Sequence, residues 1–242
     1  MTQSRKAIEA ISGRFLDLEN PQVGQISVED IVWGLCRMPR YAGHTIGDSI
    51  YSVGQHSLLV AENVVNLLRK EDPETRAEEY AHQNELMNSL DKFLANDVLR
   101  ESVMSKVVFC QESKSKTLMN SIVNHALIHD ASEAYLMDLP APIKNLPGIK
   151  EAYAALEEKV MAVIAEYFGL QWPMPDFYGK IIHWSDLYVR AVEAEFLIAS
   201  HGRHWEDKPS VSRIDLEDFQ LHSFSTVKAV LTKELNLINP DK

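Results

Sequence analysis

The chain has 242 residues, 45% of them hydrophobic, and a formal net charge of −11. This is the composition of a globular protein long enough for one large domain or two small ones. So acidic a chain is repelled by nucleic-acid backbones, and no Lys/Arg cluster relieves the repulsion, so duplex binding is not expected.

The first segment, "MTQSRKAIEAISGRF", lacks the apolar core of a signal peptide. No window of the chain approaches the ~20 apolar residues of a membrane helix. With only Cys36 and Cys110 available, a disulfide framework is excluded and a reducing compartment is suited. A cytoplasmic protein without a membrane span is the expectation. "QISVEDIVWGL" reads as a loop feeding a short helix rather than a strand. "HSLLVAENVVNLL", residues 56–68, repeats apolar residues at helical spacing.

Residues 69–118 differ from what surrounds them. The segment is strongly charged, with Pro73 near its start, yet Leu86, Leu90, Phe93, Leu94 and Val98 suggest a helix inside it. We read it as an insertion forming a solvated helical hairpin, with a lid or a subunit contact as the sharper alternative. Beyond it, "YAALEEKVMAVIAEYFG" carries Tyr153, Leu156, Val160, Val163, Ile164 and Tyr167 at helical spacing, and Gly169 is a natural stop. "IIHWSDLYVRAVEAEFLIA" and "FSTVKAVLTKELNLI" are two more helices of this kind. Strand-like alternation is scarce. The expected fold is therefore all-α: a helical bundle around one core, with residues 1–242 as a single domain interrupted at 69–118. No glycine-rich phosphate loop appears among the 10 glycines, so P-loop and Rossmann sites are not expected.

The stretch that carries chemistry is "IHDASEAYLMDLP", residues 128–140. His129 and Asp130 offer an imidazole nitrogen and a carboxylate oxygen, a pair that a hard or borderline divalent ion accepts together. His56, which opens its helix, and Asp186, on an otherwise apolar helix face, complete a set of two nitrogens and two oxygens. Such a set partly neutralises a divalent ion and leaves positions for water and substrate. Glu133 follows Asp130 by three residues, and Asp138 precedes the break at Pro140. A histidine on an apolar helix is more often a packed core residue than a ligand. His125, in "HALIH", lacks the glutamate of a zinc-protease motif, and His183 is a similar decoy. His82, His201, His204 and His222 lie in polar surroundings and are expected to be exposed. Arg37 and Arg40 are both placed to hold an anion, and the residues alone do not choose between them. Trp33, Trp172, Trp184 and Tyr188 are candidates to pack a nucleobase, although aromatics at such positions are more often core.

The order H…HD…D resembles the HD-domain metal-dependent phosphohydrolases. "RMPRYAGHT", "YSVGQHS", "HDASEAYLMDLPAPIK" and "SDLYVRAVEAE" resemble, in order, segments of the bacterial and phage nucleotide-phosphohydrolase branch, which includes the 5′-deoxynucleotidases. The pattern H-D-x-x-E-x-x-x-x-D-x-P is more specific than the bare ligand signature. The resemblance covers roughly residues 30 to 65 and 120 to 198.

It implies His56, His129, Asp130 and Asp186 as metal ligands. Glu133 would be the carboxylate that orients or deprotonates water, and Asp138 a second acid near the leaving group. Arg40 would be the phosphate-binding arginine, with His44 and Lys144 as further substrate-side residues. The implied cofactor is one divalent ion, Mn, Co, Fe, Ni, Zn or Mg. The implied substrate is a nucleotide, in the first place a deoxynucleotide, with adenine as the candidate base. The separation of His56 from His129 is longer than in compact members of the branch, and the charged segment accounts for it. An alarmone, a cyclic nucleotide or an RNA end is the alternative substrate. A non-catalytic metal- or nucleotide-binding protein is the alternative from another class, against which Glu133 and Asp138 argue. A homodimer is the default assembly.

Overall fold

A computed structural model of the protein describes residues 6–69, 77–95, 97–113, 116–206 and 208–238. A small antiparallel hairpin, β1 (Ala7–Glu9) and β2 (Phe15–Asp17), precedes an otherwise helical chain. The helices are α1 (Val28–Arg37), α2 (Val53–Leu68), α3 (Ala77–Phe93), α4 (Arg100–Ser113), α5 (Lys116–Leu127), α6 (Glu133–Leu136), α7 (Ala141–Lys144), α8 (Lys150–Phe168), α9 (Asp176–Leu197), α10 (Arg213–Asp218) and α11 (Phe224–Ile238). The all-α expectation holds. No helix among the described residues is long and apolar enough to cross a membrane.

Helix α2 is the axis of the bundle. Its apolar stripe makes Val60, Val64, Leu67 and Leu68 almost fully buried. It packs against α1, α5, α9 and α11, and also touches α3 and α4. Helix α9 is the second central element. Its Ile181, Trp184, Tyr188, Ala191 and Leu197 are buried, so two polar residues on it, Ser185 and Glu193, are buried with them. The N-termini of α1 and α2 are capped by Ser27 and Ser52, whose side chains accept from the backbone N–H groups of Asp30 and Gln55. Helix α8 ends at Gly169, which adopts the left-handed conformation (φ 67°) expected of a terminating glycine.

The charged segment is more than a solvated hairpin. Of residues 69–118, those at 70–76, 96 and 114–115 lie outside the described residues. The rest holds α3 and α4, which pack on α2 and α9, and the first turn of α5. Leu86, Leu90, Leu94, Val103, Val107 and Cys110 enter the common core. Their outer faces leave Tyr80, Phe93, Val108 and Phe109 exposed.

One close approach sets the position of the functional stretch. A Cβ on Gly34 of α1 would lie 2.6 Å from the Ala134 carbonyl oxygen and 2.7 Å from its Cα. Only glycine lets α1 press this closely on α6, the short helix that begins with Glu133.

Candidate metal centre

The HD pair does not sit in a regular helix. Helix α5 ends at Leu127, and residues 128–132 form a run of tight turns. The N–H groups of Ala131 and Glu133 donate to the carbonyls of Ile128 and Asp130, three residues back in each case. Asp130 and Glu133, three residues apart, are thus related by these turns and not by a helical face. The turns bring neighbouring side chains to one point more easily than a helix, where successive residues diverge by about 100°.

His56, His129 and Asp130 each offer a ligand atom within 4.8 Å of the others, a group that could hold a metal ion. His129 Nε2 lies 3.2 Å and His56 Nε2 3.7 Å from Asp130 Oδ2. Asp186 joins through His56, with Oδ1 3.1 Å from Nε2. No other such group exists among the described residues.

The donor chemistry fits a metal. His129 Nδ1 is 2.7 Å from the Ala126 carbonyl, to which it donates. His56 Nδ1 donates to Glu193 Oε1 at 2.6 Å. Each bond assigns the proton to Nδ1 and aims the Nε2 lone pair at the Asp130 side. Both Nε2 atoms are buried and have no aligned hydrogen-bond partner. Buried polar atoms are nearly always satisfied, so two orphans facing one another ask for a cation.

The charges agree. Burial and the Arg40 guanidinium push the His56 imidazolium down, but Glu193 and Asp186 outweigh them and hold it at about 9. A proton and a metal ion thus compete for the same Nε2. Burial would raise Asp130 and Asp186, yet the two histidines hold both carboxylates below the usual range, with Arg40 adding to the effect at Asp186.

Arg40, and not Arg37, belongs to this site. Its guanidinium lies 3.5 Å from Asp130, 4.0 Å from Asp186 and 3.4 Å from Glu193. Arg37 instead lies over the Trp33 ring, 4.1 Å from its centroid. Glu133 is 6% exposed, and its Oε2 is buried without a partner. Burial, then Asp130 and Asp138, push its carboxyl well above the usual carboxylate range. Burial also raises Asp138, which feels Arg40, Asp130, His56 and Lys144. Lys144 pairs with Glu157 at 2.8 Å at the edge of this field. His44 ends the turn after Arg40 and is exposed.

The expected bystanders separate. His125 is buried, with its ring nitrogens 2.7 and 3.0 Å from the carbonyls of Ser121 and Gln171, so it is a packed core residue. His183 is exposed beside Phe93. His82 corrects the expectation of exposure: it is buried and bonded to Asp215 at 2.9 Å. Trp184 and Tyr188 are core, and the aromatic pair near Arg40 is Tyr41 with Trp205, centroids 6.3 Å apart.

Comparison with known proteins adds kinship. An uncharacterized protein of Rhodobacter capsulatus is 30% identical over 185 residues, which cover 76% of this chain and 69% of that protein. The chain belongs to the same family. The uncharacterized protein YfdR of Escherichia coli K12 is 26% identical over 198 residues, covering 82% of this chain and 76% of YfdR. No family model matches the chain.

Sequence reasoning missed Glu193, Tyr41, Tyr51 and Trp205. Glu193 had a signal. It follows Asp186 by seven residues, two helical turns, on a face otherwise lined with apolar residues. Nothing in the sequence marked the tyrosines.

Proposed function

We propose that the protein is an HD-type metal-dependent phosphohydrolase that acts on nucleotides, in the first place deoxynucleotides. The observation that carries the reading is the pair of tautomer-locked Nε2 atoms of His56 and His129 that lack aligned hydrogen bonds, set beside Asp130, Asp186 and the buried, unpartnered Oε2 of Glu133. A single divalent ion, when bound by these residues, would supply a Lewis acid for a phosphoryl oxygen and acidify water.

The chain's own residues supply the rest. Glu133, whose carboxyl burial and then Asp130 and Asp138 push above the usual carboxylate range, would be the carboxylate that takes a proton from water. Arg40, held above its ordinary pKa by Glu193, Tyr41, Asp186 and Asp130 against the effect of burial, stays cationic. Its planar fork can serve the charge that builds on a transferred phosphoryl group. Asp138, whose carboxyl burial raises, is the acid available to a leaving oxygen. Lys144 adds positive charge at the mouth. An acidic chain would thereby hold an anionic substrate through a local cationic cluster.

The test is phosphate release by chelator-stripped protein from a panel of ribo- and deoxynucleoside mono-, di- and triphosphates. Mn²⁺, Co²⁺, Mg²⁺ or Zn²⁺ is added back one at a time. Metal-dependent release from one phosphorylation level supports the reading and identifies the bond cut. Release only from an alarmone or a cyclic nucleotide moves the substrate class. Binding without turnover under any metal sinks the enzyme.

A further inference from the structure

Glu193 is 0% exposed, and its two oxygens serve different halves of the site. Oε1 accepts from His56 Nδ1 at 2.6 Å and from the Tyr51 hydroxyl at 2.6 Å. Oε2 accepts from the Tyr41 hydroxyl at 2.5 Å and lies 3.4 Å from Arg40 Nε. One oxygen therefore addresses a metal ligand and the other the anion-binding turn.

The turn needs such a hold. Tyr41 and Ala42 both have positive φ, 56° and 52°, next to Gly43 at 78°. Non-glycine residues avoid this region, and a residue held there is strained. Two in succession persist only where the surroundings fix them. On one side the turn is fixed by backbone bonds: Arg40 N–H donates to the Tyr51 carbonyl and His44 N–H to the Tyr41 carbonyl. On the inner side it is fixed by the Tyr41 hydroxyl on Glu193. The same turn aims Arg40 at Asp130 and Asp186.

We infer that Glu193 is a positioning residue which builds the metal half and the anion half of the site on one buried carboxylate. Through Oε1 it holds His56 with the proton on Nδ1 and Nε2 free for the ion. Through Oε2 it holds the strained turn that presents Arg40. A glutamine there has one acceptor oxygen and one donor NH₂, so it cannot accept hydrogen bonds in both halves and carries no charge to face Arg40.

This inference rests on the metal site above, and its test separates the two. Metal-free wild type, Glu193→Gln and Tyr41→Phe are titrated with Zn²⁺ by calorimetry. Inorganic phosphate is then titrated into the Zn²⁺-loaded forms, and ¹⁵N spectra of those forms report the His56 tautomer. Glu193→Gln should bind Zn²⁺ about 10–100-fold more weakly and lose the single Nδ1–H signature of His56. Tyr41→Phe, which leaves Oε1 untouched, should keep Zn²⁺ affinity within about threefold while phosphate affinity falls about tenfold, the loss of one charge-assisted bond. Zn²⁺ affinity and His56 spectrum unchanged in Glu193→Gln would overturn the inference. So would equal losses of both ligands in Tyr41→Phe. If Glu193→Gln does not fold, the split between the two ligands in Tyr41→Phe decides. Metal binding with these effects but no nucleotide turnover would keep the inference and sink the phosphohydrolase. Turnover that is indifferent to Glu193→Gln would do the reverse.

Discussion

Two polar clusters, one buried and one half-buried, lie on α9, and each is built from a histidine, a carboxylate and a tyrosine. In one, His56 meets Glu193, with Tyr51 and Tyr41 on the same carboxylate. In the other, His82 Nε2 and the Tyr188 hydroxyl meet on Asp215 Oδ2, at 2.9 and 2.7 Å, and the Tyr188 oxygen accepts from the Ser212 N–H. The second cluster ties α3 and α10 to α9 and ends there. The first leaves His56 Nε2 without an aligned hydrogen bond, close to another such nitrogen on His129 and to the Asp130 and Asp186 carboxylates. The same residue types make a strut in one place and a candidate metal site in the other. What separates them is unspent hydrogen-bonding capacity that converges on one point, together with surplus negative charge around it.

The largest expected effect is at the first cluster. Asp130→Ala should abolish metal-dependent phosphate release, a loss of about a thousandfold or more on the scale of removing a key electrostatic group. Its far-ultraviolet circular dichroism should stay that of the wild type. Full activity would end the metal assignment. Next comes the support beneath Glu133. Gly34→Ala forces α1 away from the Ala134 backbone, so we expect a loss of about 1–3 kcal/mol in urea denaturation and a fall in kcat from a displaced Glu133. A stable, fully active variant would show that the close approach is incidental. Lys144→Ala should raise KM a few-fold and leave kcat nearly unchanged, because the lysine sits at the edge of the site and is already paired with Glu157. A fall in kcat alone would instead place the lysine at the reacting group.

The smallest effect is at the strut, and it has a sign. The hydrogen bond to Asp215 raises His82 above its ordinary value, against the effect of burial. A raised folded-state pKa contributes stability that is fully present below about pH 6.5, and this stability is lost as pH rises through the folded-state value. It should amount to about 1 kcal/mol, the size of one such bond. Comparing wild type with His82→Gln by urea denaturation at pH 5.5 and pH 9 should show a gap that narrows at the higher pH. Activity at fixed metal should be unaffected, in contrast to every change at the first cluster.

The sequence made the helices legible because their apolar spacing is strong: α2, α8, α9 and α11 fall where the periodicity places them, and Gly169 stops α8 as expected. Packing of the charged segment was hidden, because α3 spends most of its surface on polar residues while Leu86 and Leu90 carry its apolar buried face. Three mutually close site residues, His56, His129 and Asp130, could be named because their order and spacing survive in the chain. Glu193 was passed over because an acid near the end of a helix reads as surface by default. Tyr41, Tyr51 and the left-handed turn were invisible because they depend on contacts across more than a hundred residues of chain. His82 was misjudged for the same reason: Asp215 is distant in sequence and adjacent in space.

The most direct test of the central claim is to crystallise the protein with Mn²⁺ and compute an anomalous difference map. The account predicts one strong peak per chain, bonded to the Nε2 atoms of His56 and His129 and to the carboxylates of Asp130 and Asp186. A peak elsewhere, or none at saturating Mn²⁺ and neutral pH, would contradict it.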